Sequence, residues 1–140
     1  MKKKTISVIL IAIILIILVY YLASPLFISK EKNEEIPLGT IISQSTLLPD
    51  AHEVAGKVVI IEESGNKILR FEDFETTSGP NLHIYLATDR SASDYIDLGK
   101  IKATKGNVNY GIPSDVDLEK YDTVLVWCVP FEVLFSYAEF

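Results

Sequence analysis

Residues 6–23, ISVILIAIILIILVYYLA, form an uncharged apolar run with Ser7 as its one clearly polar side chain. That is about the length a helix needs to cross a bilayer's hydrocarbon core. Beyond it the pattern changes to short runs divided by turn residues. Val58-Val59-Ile60-Ile61 and Ile68-Leu69-Arg70-Phe71 enclose Ser64-Gly65-Asn66, which predicts a hairpin with a Gly-Asn turn. Leu82, Ile84 and Leu86 alternate with His83, Tyr85 and Ala87, so the first set is expected in the core and His83 at or near the surface. Residues 98–103 and 107–112 flank Gly106 and read as another strand pair. Ser114 to Tyr121 offers one helical turn. Thr123 to Cys128 is the most strand-like run, and Pro130 marks a bend before residues 132–138 resume the pattern. Many short strands without an amphipathic helix of useful length predict an all-β, antiparallel sandwich or barrel-like domain.

These patterns divide the chain into a basic tail at 1–5, a transmembrane anchor at 6–23, a tether at 24–50 that ends docked, and a β domain at 51–140. The tether assignment follows from Pro25, the mixed charges of 30–35, Pro37, Gly39 and Pro49. Lys2, Lys3 and Lys4 before the run place the N-terminus in the cytoplasm and the domain outside, with Tyr20 and Tyr21 at the outer interface of the cell membrane. A cleaved signal peptide is the rival reading. Its apolar core is normally shorter and followed by small residues, whereas cleavage after Ala23 would put Tyr21 at a small-residue position.

Charge narrows the partners. The chain carries a net charge of −6, but three of its thirteen basic residues precede the apolar run, leaving ten basic and nineteen acidic residues, or −9, after it. This argues against nucleic acid, which requires basic patches, and against docking on anionic lipid surfaces. Cys128 is the sole cysteine, so no intramolecular disulfide forms. Its thiol has two readings: a redox-active or metal-ligating sulfur, or a small buried hydrophobe.

The other candidates are weighed in the same way. His52 and His83 are potential haem ligands, or else a strand-edge and a surface side chain. One cysteine and two histidines are blue-copper ligand types, but the only Met is Met1 and no histidine follows Cys128, so the spacing specifies no metal site. Asp89, Asp94 and Asp97 match no calcium loop. No nucleophile with a nearby base is indicated, so the pattern favours an accessory or binding domain over a stand-alone enzyme.

Four segments together resemble the DM-thirteen domain, also described as an electron-transfer DM domain. They are His52-x-Val54-x-Gly56; Leu69-x-Phe71-x-x-Phe74 with Gly79-Pro80-Asn81-Leu82-His83-Ile84-Tyr85-Leu86; Leu98-Gly99-x-Ile101-Lys102 through Gly106-Asn107-Val108-x-Tyr110-x-Ile112-Pro113; and Tyr121-x-x-Val124 through Val126-Trp127-Cys128-x-x-Phe131, with Phe135 and Ala138. The resemblance implies an all-β fold and a redox, electron-transfer role centred on Cys128. By residue type, His83 and His52 are the candidate cofactor ligands, and Trp127 and Tyr110 are either core residues, the preferred reading, or a cofactor-side stepping surface for electrons. The cofactor is left unknown, haem or a metal being the open options, and the implied partners are redox proteins of the cell envelope. Val129-Pro130 stands where the family usually has polar or basic residues, which makes the surroundings of Cys128 less electropositive. The competing expectation is a non-catalytic β-sandwich that binds or scaffolds in the envelope.

Overall fold

The computed structural model describes residues 3–27 and 29–140. Met1 and Lys2 of the expected basic tail, and Ile28 of the expected tether, lie outside the described residues. One helix, α1 (Lys3–Phe27), is followed by ten strands: β1 (Glu31–Asn33), β2 (Thr40–Thr46), β3 (Leu48–Pro49), β4 (Val54–Glu63), β5 (Asn66–Thr76), β6 (Leu82–Ala87), β7 (Tyr95–Lys100), β8 (Lys105–Ile112), β9 (Thr123–Cys128) and β10 (Val133–Glu139). Within α1 the stretch Lys3–Ala23 is long and apolar enough to cross a membrane, and none of it is buried against the rest of the chain.

The strands form two five-stranded sheets, ordered β1-β8-β5-β4-β2 and β3-β10-β9-β6-β7. All pairings are antiparallel except that of β1 with β8. Side-chain alternation turns one face of each sheet inward. The first sheet contributes Val58, Ile60, Leu69, Phe71, Val108 and Tyr110, and the second Leu82, Ile84, Leu86, Val124, Val126 and Cys128. Register aligns these layers: Ile60 faces Leu69, Leu69 faces Tyr110, and Leu82 faces Cys128. Each such apolar side chain taken from water contributes roughly 1.5–3 kcal/mol, so this double layer is the main source of cohesion. The fold is the expected mostly-β sandwich behind an apolar N-terminal helix.

The expected β4–β5 hairpin is present, but its turn is Ser64-Gly65, with φ of 51° and 82°. Two consecutive positive φ values make a type I′ turn, whose twist suits a two-residue hairpin, and Asn66 already belongs to β5. The strands expected to pair across Gly106 do not. β7 pairs with β6 in the second sheet and β8 with β5 in the first. The chain changes sheets between them: the Ile101 N–H donates to the Leu82 carbonyl, whereas the Thr104 N–H donates to that of Lys30. The single turn before β9 does form, with the Asp117 carbonyl accepting from the Tyr121 N–H at 2.9 Å, and its cap is Asp117 rather than Ser114.

The stretch read as a tether contains three strands. β1 and β2 lie at opposite edges of the first sheet, so residues 34–39 must cross its outer face. Four strand spacings amount to about 19 Å, which six extended residues just cover. This strap lies over the buried Arg70, whose Nη1 donates to the carbonyls of Glu34 and Glu35 and to Asn109 Oδ1, while its Nε meets Glu72. Val59 and Ile61, on strand β4 and also fully buried, explain why this face needs a cover.

Candidate functional site

Along β9 the residues Val124, Val126 and Cys128 face the core, and Leu125 and Trp127 face outward, as a two-residue period requires. Cys128 is the last residue of the strand, so its thiol lies at the end of the sandwich rather than at its centre. It is 1% exposed, and Sγ lies 3.6 Å from the Pro80 carbonyl oxygen, to which the S–H donates a weak hydrogen bond. Pro80 is there because Cys128 is paired with Leu82 and the turn before β6 folds back over the strand end.

His52 reaches the same place by another route. Strand β10 changes register between Leu134 and Ser136, and the carbonyl of the intervening Phe135 leaves the ladder to accept the N–H groups of both Asp50 and His52, at 3.1 and 3.2 Å. This bulge ties residues 50–52 to β10 and places the His52 ring 3.9 Å, centroid to centroid, from that of Phe135. His52, Gly79, Pro80, Cys128, Phe131 and Phe135 surround a mostly apolar pocket of about 220 Å³. Gly79 is needed for its shape, since a Cβ there would come within 2.8 Å of the Phe135 ring and 3.0 Å of Leu82. Phe131, 68% exposed, stands at the mouth.

The remaining candidates lie elsewhere. His83 projects to the outer side of the second sheet, with Nδ1 2.8 Å from Asp97 Oδ2 and Nε2 3.3 Å from Asn81 Oδ1. Trp127 belongs to an outer-face row in which Tyr95 stacks on Tyr85 at 4.1 Å and Tyr85 lies 6.2 Å from Trp127. Burial, reinforced by Tyr95, pushes the Tyr85 hydroxyl up to about 12. Tyr110 is a core residue packed on Phe71, its hydroxyl accepting from the Lys102 N–H at 2.9 Å; burial pushes it up to about 12 as well. Of the three loop carboxylates, Asp89 caps the Ser91 N–H, Asp94 pairs with Lys120 and Asp97 meets His83.

Sulfur and imidazole on one pocket are suitable donors for a soft metal or a haem iron. Their setting does not fit either group. A volume of 220 Å³ lies below the roughly 300–1,000 Å³ of sites for drug-sized ligands, so a porphyrin is not accommodated, and among the described residues no cluster of three His, Cys, Asp or Glu side chains could hold a metal. The pocket is suited to a small, largely apolar reactant beside a thiol. Sequence reasoning singled out Cys128 and His52 by type but missed Pro80 and Phe135 as neighbours, although both stand in the segments that carry the family resemblance. It also missed the Tyr85–Tyr95 stack, whose only signal was period-two alternation.

No curated protein and no solved structure matches the chain. A family model described as electron transfer DM13 matches residues 46–140, the whole of the pocket included, and with two thirds of its length so matched the chain belongs to the electron transfer DM13 family.

Proposed function

We propose that this protein is a membrane-anchored redox accessory in which the Cys128 thiol carries the reducing equivalents, held outside the cytoplasm by residues 6–23 with the N-terminus inside. The family supports a redox-related role. The observation that carries the reading to Cys128 is the pocket it shares with His52. With no second cysteine in the chain, oxidation of Cys128 ends in a mixed disulfide or a sulfenic acid. A pocket of this size favours a small disulfide. Cys128 gives up its proton, its sulfur bonds to one sulfur of the disulfide, and the other leaves as a thiol; an envelope redox protein then restores the original state. His52 is the base in the same pocket.

Mass-spectrometric labelling of the full chain tests this. A small alkylating reagent should modify Cys128 in the folded protein, and a small disulfide should add a mass that dithiothreitol removes. Labelling only after unfolding would defeat the redox reading. The alternative, a binding or scaffolding module of the envelope, is favoured by the 1% exposure of Cys128 and its bond to Pro80. An inert thiol, with a partner captured equally by wild type and Cys128→Ala, would establish it.

A further inference from the structure

A second cavity, of about 280 Å³, lies on the other side of the Ser78-Gly79 segment, between apolar Leu82 and Ile101 and the two lysines Lys30 and Lys100. Those lysines are exceptional in this molecule. Of the ten cations that follow the apolar run, Lys32, Lys57, Arg70, Arg90, Lys102, Lys105 and Lys120 each have a carboxylate partner. Among the described residues Lys30, Lys67 and Lys100 have no such partner, and Lys67 sits across the hairpin from Glu62. In a domain with nearly twice as many acids as bases, two of the three cations without a carboxylate partner among the described residues line one cavity.

The position of that cavity along the chain says what would fill it. Lys30 is fixed to the domain: its N–H donates to Thr104 Oγ1 at 2.9 Å, and its carbonyl accepts from the N–H groups of Thr104 and Lys105 at 2.8 and 3.2 Å. The membrane-length stretch ends at Ala23 and the helix at Phe27. Four helical residues rise about 6 Å and three extended ones reach at most about 11 Å, so Lys30 lies within about 17 Å of the hydrocarbon edge whatever the tilt of the helix. The headgroup layer occupies roughly 5–8 Å of that interval.

We propose that this cavity binds the phosphate of an anionic phospholipid from the leaflet out of which α1 emerges, Lys30 and Lys100 neutralising the phosphate and Leu82 and Ile101 receiving its glycerol edge. The inference rests on reading residues 6–23 as an anchor. It does not rest on Cys128. The domain's charge of −9 opposes broad adhesion to an anionic surface, so contact is confined to this spot and the lipid orients the domain on the membrane.

The test uses the full chain in nanodiscs of phosphatidylcholine, with and without phosphatidylglycerol, followed by the amide NMR signals of Gly79, Ile101 and Thr104. Those signals should move with phosphatidylglycerol. The movement should fall at least several-fold in Lys30→Gln/Lys100→Gln and persist in Lys67→Gln. Signals that ignore phosphatidylglycerol, or respond equally in the double variant, overturn the site. Saturation of the same signals by glycerol phosphate in neutral nanodiscs overturns the lipid as source in favour of a free organic phosphate. Failure of the chain to co-elute with nanodiscs refutes the anchor itself, a result separate from the Cys128 labelling.

Discussion

Gly79 separates the two cavities and fixes how near Phe135 and Leu82 can approach each other. Gly79→Ala forces a methyl against the Phe135 ring. The expected cost is about 1–3 kcal/mol, as for other overpacked sites, together with slower alkylation of folded Cys128, read from a urea midpoint and a labelling time course. Glu34 poses a different residue-scale question. Burial alone would raise its carboxyl, but the Lys32 ammonium, the Asn109 N–H and Lys102 outweigh that effect and hold it at about 2, against an ordinary 4.5. A depressed carboxyl stabilises the fold above its unfolded value and loses that contribution as pH falls toward the folded one. Glu34→Gln should therefore cost about 1–3 kcal/mol at pH 7, and the gap from wild type should close between about pH 4.5 and 2 in thermal melts. Cys128 and His52 were legible from residue type and from the family segments. Their meeting was not, because it depends on a bulge at Phe135 that no local pattern announces.

At the scale of elements, the strands were the most legible part. Val58–Ile61, Leu82–Leu86 and Thr123–Cys128 are runs whose β-branched or alternating residues satisfy a pleated, buried surface and little else. The strap was not legible. Pro37, Gly39 and the surrounding charges indicate irregular chain, but only Arg70, buried on an outward face, demands a cover made of backbone carbonyls. The pairing of β1 with β8 depends on Gly106, which has φ of +112° and where a Cβ would run into the Lys32 carbonyl oxygen. Gly106→Ala should cost about 1–3 kcal/mol and loosen β1 before anything else. Hydrogen exchange is the check, and the amide of Glu34, bonded at 2.7 Å to the Asn107 carbonyl, should be among the first to lose protection.

Across the whole molecule, the family match starts at residue 46, whereas the sandwich starts with β1 at Glu31. A chain beginning at residue 46 would lack β1, β2 and the strap. It would leave the backbone edges of β4 and β8 open and expose Val59, Ile61 and Arg70. Such a chain should aggregate or unfold at much lower urea than one beginning at residue 29, as size-exclusion chromatography and a denaturation curve would show.

The same attachment has a consequence for how long the protein stays where it is placed. Only residues 28 and 29 separate the end of α1 from Lys30, whose backbone is already bonded into the first sheet. A processing protease must draw several residues of extended chain into its cleft, and this junction has no such length to give without first peeling Lys30 and β1 from β8. On the proposed reading of residues 6–23 as an anchor, cleavage between α1 and β1 is therefore expected to require β1 to peel away first, so the folded protein should resist release as a soluble fragment.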